Sequence, residues 1–131
     1  MNKITENSIE QSFIDQLVEG GYRYSHGSEI APGTEGALRE NFTEVVLRPV
    51  FEAAVEHLNP EVGLAERSEA VNKVLNLGVG DIMTNNELFH SYLTNGVTVT
   101  KTIAGEERGI QVKIFDTENI NQNDFLAVNQ F

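Results

Sequence analysis

The chain has 131 residues, 40% of them apolar and 22% charged, which fits one globular domain large enough to bury a core. There is no cysteine, so disulfides and cysteine-ligated zinc are excluded. No apolar run approaches the roughly 18–20 residues of a membrane span, and the opening Met1-Asn2-Lys3-Ile4-Thr5-Glu6-Asn7 lacks the apolar stretch of a secretion signal. Nine Lys and Arg against twenty Asp and Glu give a net charge of −11, and the cations are scattered, so no basic stripe can displace counterions from a nucleic-acid backbone. The expectation is a soluble cytoplasmic protein whose role on DNA, if any, depends on a larger assembly or on a metal ion.

Thr5 to Glu19 is expected to be an amphipathic helix. Thr5 is placed to cap it, Glu6 suits the positive end of the dipole, and Ile9, Phe13, Ile14, Leu17 and Val18 form one apolar stripe. Gly20-Gly21 ends it. Tyr22 to Ala37 is loop-like, with a short extended piece near Tyr22–Tyr24. Asn41 to Leu58 returns to helical spacing. Pro49 either kinks this segment or starts a second helix near its first turn, and Asn59-Pro60 stops it.

Leu64 to Leu77 is the next helix, with Leu64, Val71, Val74 and Leu75 inward. A further helix runs from Asp81 or Thr84 to Thr94, with a capping-box spacing at Thr84-Asn85-Asn86-Glu87 and a buried face of Leu88, Phe89, Tyr92 and Leu93. From Val97 the period becomes two. Val97, Val99, Lys101 and Ile103, then Ile110, Val112 and Ile114, describe a hairpin with a loop of three to five residues at Ala104-Gly105-Glu106. Asp116 to Asp124 is a polar connection. Phe125 to Phe131 begins a third strand, and an apolar strand without a polar tail leaves an open edge, so the chain is expected to continue in a longer protein.

Several groups invite chemistry. His26, His57 and His90 lie on different segments without metal-ligand spacing, and His90 reads as structural. Asp116, Glu118 and Asp124 lack the spacing of a calcium loop. Gly78-Val79-Gly80 and Gly105 do not belong to a phosphate loop, since no Gly-Lys-Ser/Thr follows. No nucleophile elbow or Ser/His/Asp arrangement stands out. The aromatic residues Phe13, Phe42, Phe51, Phe89 and Tyr92 recur at apolar helical positions and read as core.

Four stretches carry a family resemblance. They are Thr5-Glu6-Asn7-x-Ile9-Glu10-Gln11 leading to Leu17-x-x-Gly20-Gly21-Tyr22; Glu44-Val45-Val46-Leu47 with Ala53-Ala54 and Leu58-Asn59-Pro60; Asn86-x-x-Phe89-His90-x-x-Leu93-x-x-Gly96-Val97; and Asp116 through Asn123-Asp124-Phe125-Leu126-Ala127-Val128-Asn129-Gln130-Phe131. In this order they resemble the N-terminal region of the R (HsdR) subunit of type I restriction enzymes, over nearly the whole chain.

The resemblance implies an α/β (α+β) fold: part of a PD-(D/E)xK restriction-endonuclease-like core, with a helical insertion after the first helix, then a hairpin and a third strand. Residues 1–131 would be the N-terminal part of the endonuclease domain. In that family the aspartate and the Glu-x-Lys pair come shortly after the Val-Asn-Gln-Phe strand, here Val128 to Phe131, and the two carboxylates hold Mg²⁺. By position, the family's first-helix acid that supports the metal site is Glu10, with Glu6 the second choice. The intact subunit would be an ATP-dependent DNA translocase and Mg²⁺-dependent endonuclease that cleaves foreign unmodified DNA. It would assemble with modification (M) and specificity (S) subunits, with S-adenosylmethionine used by the assembly. The chain by itself would be inactive and need no cofactor. The rival expectation, motivated by the charge, is a small acidic protein-binding module or DNA mimic.

Overall fold

A computed structural model describes residues 5–42, 46–77 and 81–131. It is a mixed helix-and-strand protein whose chain divides into two units, Met1–Val45 with Asp124–Phe131, and Val46–Asn123. Each is described by itself.

In the first unit, helix α1 spans Glu6–Glu19. Thr5 Oγ1 accepts from the Ser8 amide at 3.2 Å while Ser8 Oγ accepts from the Thr5 amide at 2.9 Å, a reciprocal cap in which serine fills the place usually taken by Glu or Gln. Beyond Gly20, Gly21 turns the chain with φ 100°. Strand β1, Arg23–His26, follows and leads into a 3-10 turn at Gly27–Glu29. The extended piece expected near Tyr22–Tyr24 is therefore a strand shifted toward His26.

The last strand is Leu126–Asn129, β4 in chain order. It does not extend the hairpin. It pairs parallel with β1, Arg23 opposite Leu126 and His26 opposite Asn129. Within the apolar stripe of α1 only Ile14 is buried, whereas Ile9, Phe13, Leu17 and Val18 are exposed. The reason is geometric: a two-stranded pair covers too little of a stripe that runs the length of a four-turn helix.

In the second unit, α2 is Arg48–Leu58, α3 Leu64–Leu75 and α4 Ile82–Asn95, followed by β2, Val97–Ile103, and β3, Glu106–Val112. Pro49 lies in the first turn of α2, where its missing N–H costs nothing. Of the earlier start expected for this helix, Asn41 and Phe42 are not helical, and residues 43–45 lie outside the described residues. Helix α3 ends at Leu75, two residues short of expectation. The cap of α4 is Asp81, not the Thr84 box: Asp81 Oδ1 accepts from the Met83 amide, and Thr84 donates its own hydroxyl to Asp81 Oδ2 at 3.0 Å.

Strands β2 and β3 pair antiparallel with Ile103 opposite Glu106. The loop is thus two residues, Ala104 and Gly105, both at positive φ, 52° and 82°. That is the mirror-image turn whose twist suits a tight hairpin, so the longer loop expected at Ala104-Gly105-Glu106 is not formed.

The core of this unit contains Val55, Ala70, Val71, Val97, Val99, Val112 and Ile114, with Phe51, Val74, Leu75, Tyr92 and Leu93 packed against it. The alternation of β2 puts Val97 and Val99 inward, and burial of each valine is worth about 1.5–3 kcal/mol. The expected inward faces are only partly realised. Leu64, Leu88 and Phe89 are exposed, as are Phe13 and Phe42 among the aromatics expected in the core. Helical spacing identifies a face; it does not say how much of that face its neighbours cover.

Candidate functional site

The two first-helix acids that sequence reasoning singles out lie in the first unit, and one of them meets the C-terminal end of the parallel strands. Glu10, one turn into α1, is half-buried, while Glu6 is exposed in the first turn. The amide of Gln130 donates from Nε2 to both Glu10 oxygens, at 3.0 Å to Oε1 and 3.1 Å to Oε2. Among the described residues Glu6 has no side-chain partner of this kind. Between the two candidates, Glu10 is the one joined to the strand ends.

Next to this contact, Tyr24 of β1 donates its hydroxyl to Asn129 Oδ1 at 2.7 Å. His26 faces its own turn, with Nδ1 accepting from the Ser28 amide at 3.1 Å and lying 2.8 Å from Ser28 Oγ. A neutral His26 with Nδ1 as acceptor carries its proton on Nε2. The backbone is also tight here. Any Cβ at Gly27 would overlap the Gln130 carbonyl, so glycine is needed for β1 to leave the sheet beside the end of β4.

Two arginines fix the frame. Arg23 makes a two-pronged bond to Asp124, Nε to Oδ1 at 2.8 Å and Nη2 to Oδ2 at 2.5 Å, tying the start of β1 to the chain two residues before β4. The hydrogen bond from Arg23 holds the Asp124 carboxyl below the usual carboxylate range, with partial burial opposing it. Tyr22 and Phe125 add a ring contact at 5.2 Å. Arg39 is 5% exposed. It donates from Nη2 to the Phe131 carbonyl at 2.9 Å, and its guanidinium lies 3.8 Å from the centre of the Phe131 ring.

The remaining candidates lie elsewhere. His57 pairs with Gln122 Oε1 at 3.2 Å in the second unit, and His90 is exposed on α4 rather than built into the core. Asp116 organises its own loop, with Oδ1 accepting from the amides of Glu118 and Asn119. Chiefly the Asn119 bond holds its carboxyl below the usual range. Among the described residues, no group of three or more His, Asp or Glu side chains stands together as a metal site. Glu10 alone does not make up a magnesium centre.

The acidic surface is partly neutralised within itself. Arg48 pairs with Glu52, Arg67 with Glu56, Lys73 with Glu69, Lys101 with Glu66 and Arg108 with Glu106. Cations engaged in this way make no phosphate-gripping patch. None of the helices among the described residues is long and apolar enough to cross a membrane.

Residues missed by sequence reasoning are Gln130, Asn129, Tyr24 and Arg39. Their roles depend on the pairing of strands about a hundred positions apart, for which a single sequence carries no local sign.

Residues 3–131 match the family described as type I restriction enzyme R protein N terminus. The chain is 34% identical over 123 residues to a Methanocaldococcus jannaschii protein named as the endonuclease subunit of type I restriction enzyme MjaIXP, a match covering 94% of this chain and 12% of that protein. It is 32% identical over 128 residues to the endonuclease subunit of type I restriction enzyme HindI from Haemophilus influenzae, covering 97% of this chain and 12% of that one. The chain therefore spans about an eighth of each relative's length. No solved structure matches.

Proposed function

Because the chain belongs to the family of type I restriction enzyme R protein N-terminal regions, we propose that it forms the front of the endonuclease domain in the restriction subunit of such an enzyme. The observation that carries this is the match across residues 3–131, with two relatives both named as endonuclease subunits. On this reading the fold is the opening of a PD-(D/E)xK nuclease core, α1 and the parallel pair, with α2 to the hairpin as its insertion.

The longer protein is an ATP-dependent DNA translocase and a Mg²⁺-dependent nuclease acting in the cytoplasm on unmodified foreign DNA. Its partners are modification and specificity subunits, and S-adenosylmethionine serves the assembly. The aspartate and the Glu-x-Lys pair belong to strands outside these 131 residues. Glu10 is the acid that supports their site from α1, because it is the first-helix carboxylate tied to the strand ends. Without the other carboxylates the chain alone does not cut DNA.

The test compares two preparations on supercoiled plasmid with Mg²⁺. The 131-residue chain should leave the plasmid intact. The full-length subunit, combined with its modification and specificity subunits and ATP, should linearise unmethylated plasmid and spare methylated plasmid. Cleavage by the chain alone that resists removal of contaminating nuclease, or methylation-blind cleavage by the assembly, would overturn the proposal.

A further inference from the structure

The Glu10 carboxylate is held by a side chain whose backbone is itself unusual. Gln130 follows β4 with φ 55°, a conformation that side-chain-bearing residues rarely adopt and that persists where the surroundings determine it. Among the described residues the other non-glycine case is Ala104, where the hairpin turn requires it. At Gln130 the constraints come from two sides. Gly27 packs so closely against the Gln130 carbonyl that no side chain fits between them. On the other side, the Gln130 amide reaches across to α1 and meets both oxygens of Glu10.

The chemistry of this partner is informative. A Lys or Arg there would fix the carboxylate by neutralising it. An amide fixes its orientation and leaves the negative charge in place, and with about four acceptor sites on a carboxylate it leaves others open. That is what a group needs if its charge is to act on something else.

We propose that Gln130 is a positioning residue that sets the orientation of the Glu10 carboxylate for DNA cleavage. This rests on the reading of Glu10 as a functional acid.

The experiment uses the full-length subunit assembled with its partner subunits, and measures single-turnover plasmid cleavage, apparent DNA affinity and the thermal midpoint. Glu10→Gln should abolish cleavage. Gln130→Leu should slow it by about ten- to a hundredfold, the usual cost of losing a group that orients an active-site side chain, with DNA affinity and thermal midpoint unchanged. Gln130→Asn, which keeps the amide on a shorter stem, should fall between wild type and Gln130→Leu, and it carries the test where the leucine variant does not fold. The reversed pair, Glu10→Gln with Gln130→Glu, remakes the hydrogen bond but puts the charge on the strand end, so it should fold and fail to cut.

Restored cleavage in the reversed pair would make the contact a structural clasp and overturn the inference. So would wild-type rates in Gln130→Leu, or slowing that merely tracks lost stability; in these last two cases the reading of Glu10 stands, whereas restored cleavage in the reversed pair removes it as well. Wild-type cleavage by Glu10→Gln would remove that reading, and the inference with it.

Discussion

Replacing Asn59 by alanine perturbs a point where one amide serves three backbone groups. Asn59 is 6% exposed. Its Nδ2 donates to the carbonyls of Val55 and Lys113, both at 2.7 Å, and its Oδ1 accepts from the Lys113 amide at 2.8 Å. The side chain thus closes the C-terminal end of α2 and pins the residue that follows β3 to it, as a third strand would. Alanine leaves all three groups without that partner. A buried polar group left unsatisfied costs about 1–3 kcal/mol, and water can reach the partly buried Lys113 groups, so the lower end applies to those two. The expected loss is about 3–5 kcal/mol.

Aspartate at this position should be no better than alanine at neutral pH. It keeps the acceptor for the Lys113 amide but turns a carboxylate oxygen toward two carbonyls. The assay is urea unfolding of the 131-residue chain followed by circular dichroism, with the exposed Asn76 just after α3 changed to alanine as control. The midpoint should fall with little change in slope, while the control shifts by less than about 0.5 kcal/mol. A loss below about 0.5 kcal/mol for Asn59→Ala would refute the reasoning.

Two further outcomes follow from the first unit. Arg39→Met should destabilise the chain by about 1–3 kcal/mol through loss of the stacked guanidinium and its bond to the Phe131 carbonyl. Arg39→Lys should recover little of this, having no planar face to lay on the ring; thermal unfolding of both variants checks the order, and full rescue by lysine would contradict it. Because Arg23 lowers the folded carboxyl of Asp124 below its ordinary value of 3.8, the pair's stabilisation is present above that value and is lost as pH falls through the lower folded one. Unfolding midpoints from pH 7 down to pH 2.5 should therefore drop less steeply in Asp124→Asn than in wild type. The difference should be small because Arg23 is more than half exposed.

The helices were legible because their information is local. The stop at Asn59-Pro60, the proline in the first turn of α2 and the change to period two at Val97 all lie within a few residues of their effects. Misreadings arose where a partner decides the outcome. Thr84 has the spacing of a cap, yet Asp81 is one turn nearer the helix start and takes the role. Ile9 and Phe13 carry the right period for a buried face, but within the first unit the narrow strand pair of β1 and β4 leaves them exposed.

The candidate site divides the same way. Glu10 could be singled out by family resemblance to a first-helix acid. Its link to Gln130 could not, since it requires β4 to lie beside β1 and the chain to take a left-handed turn after Asn129. The stretch from Asp116 to Phe131 carries part of the resemblance, without a physical reason for its last residues. The hydrogen bonds to Glu10 and the contact of Phe131 with Arg39 supply one.

The parallel pairing of β1 with β4 also sets a temporal order. Arg23 must find Leu126, and a contact that distant in sequence carries a large loop-closure entropy when the intervening chain is unstructured. The intervening residues are mostly the second unit, a single uninterrupted segment from Val46 to Asn123. During synthesis that segment is complete before Asp124–Phe131 leave the ribosome. The second unit is thus complete before β4 is made, and the Glu10–Gln130 contact is among the last to form as these residues are made.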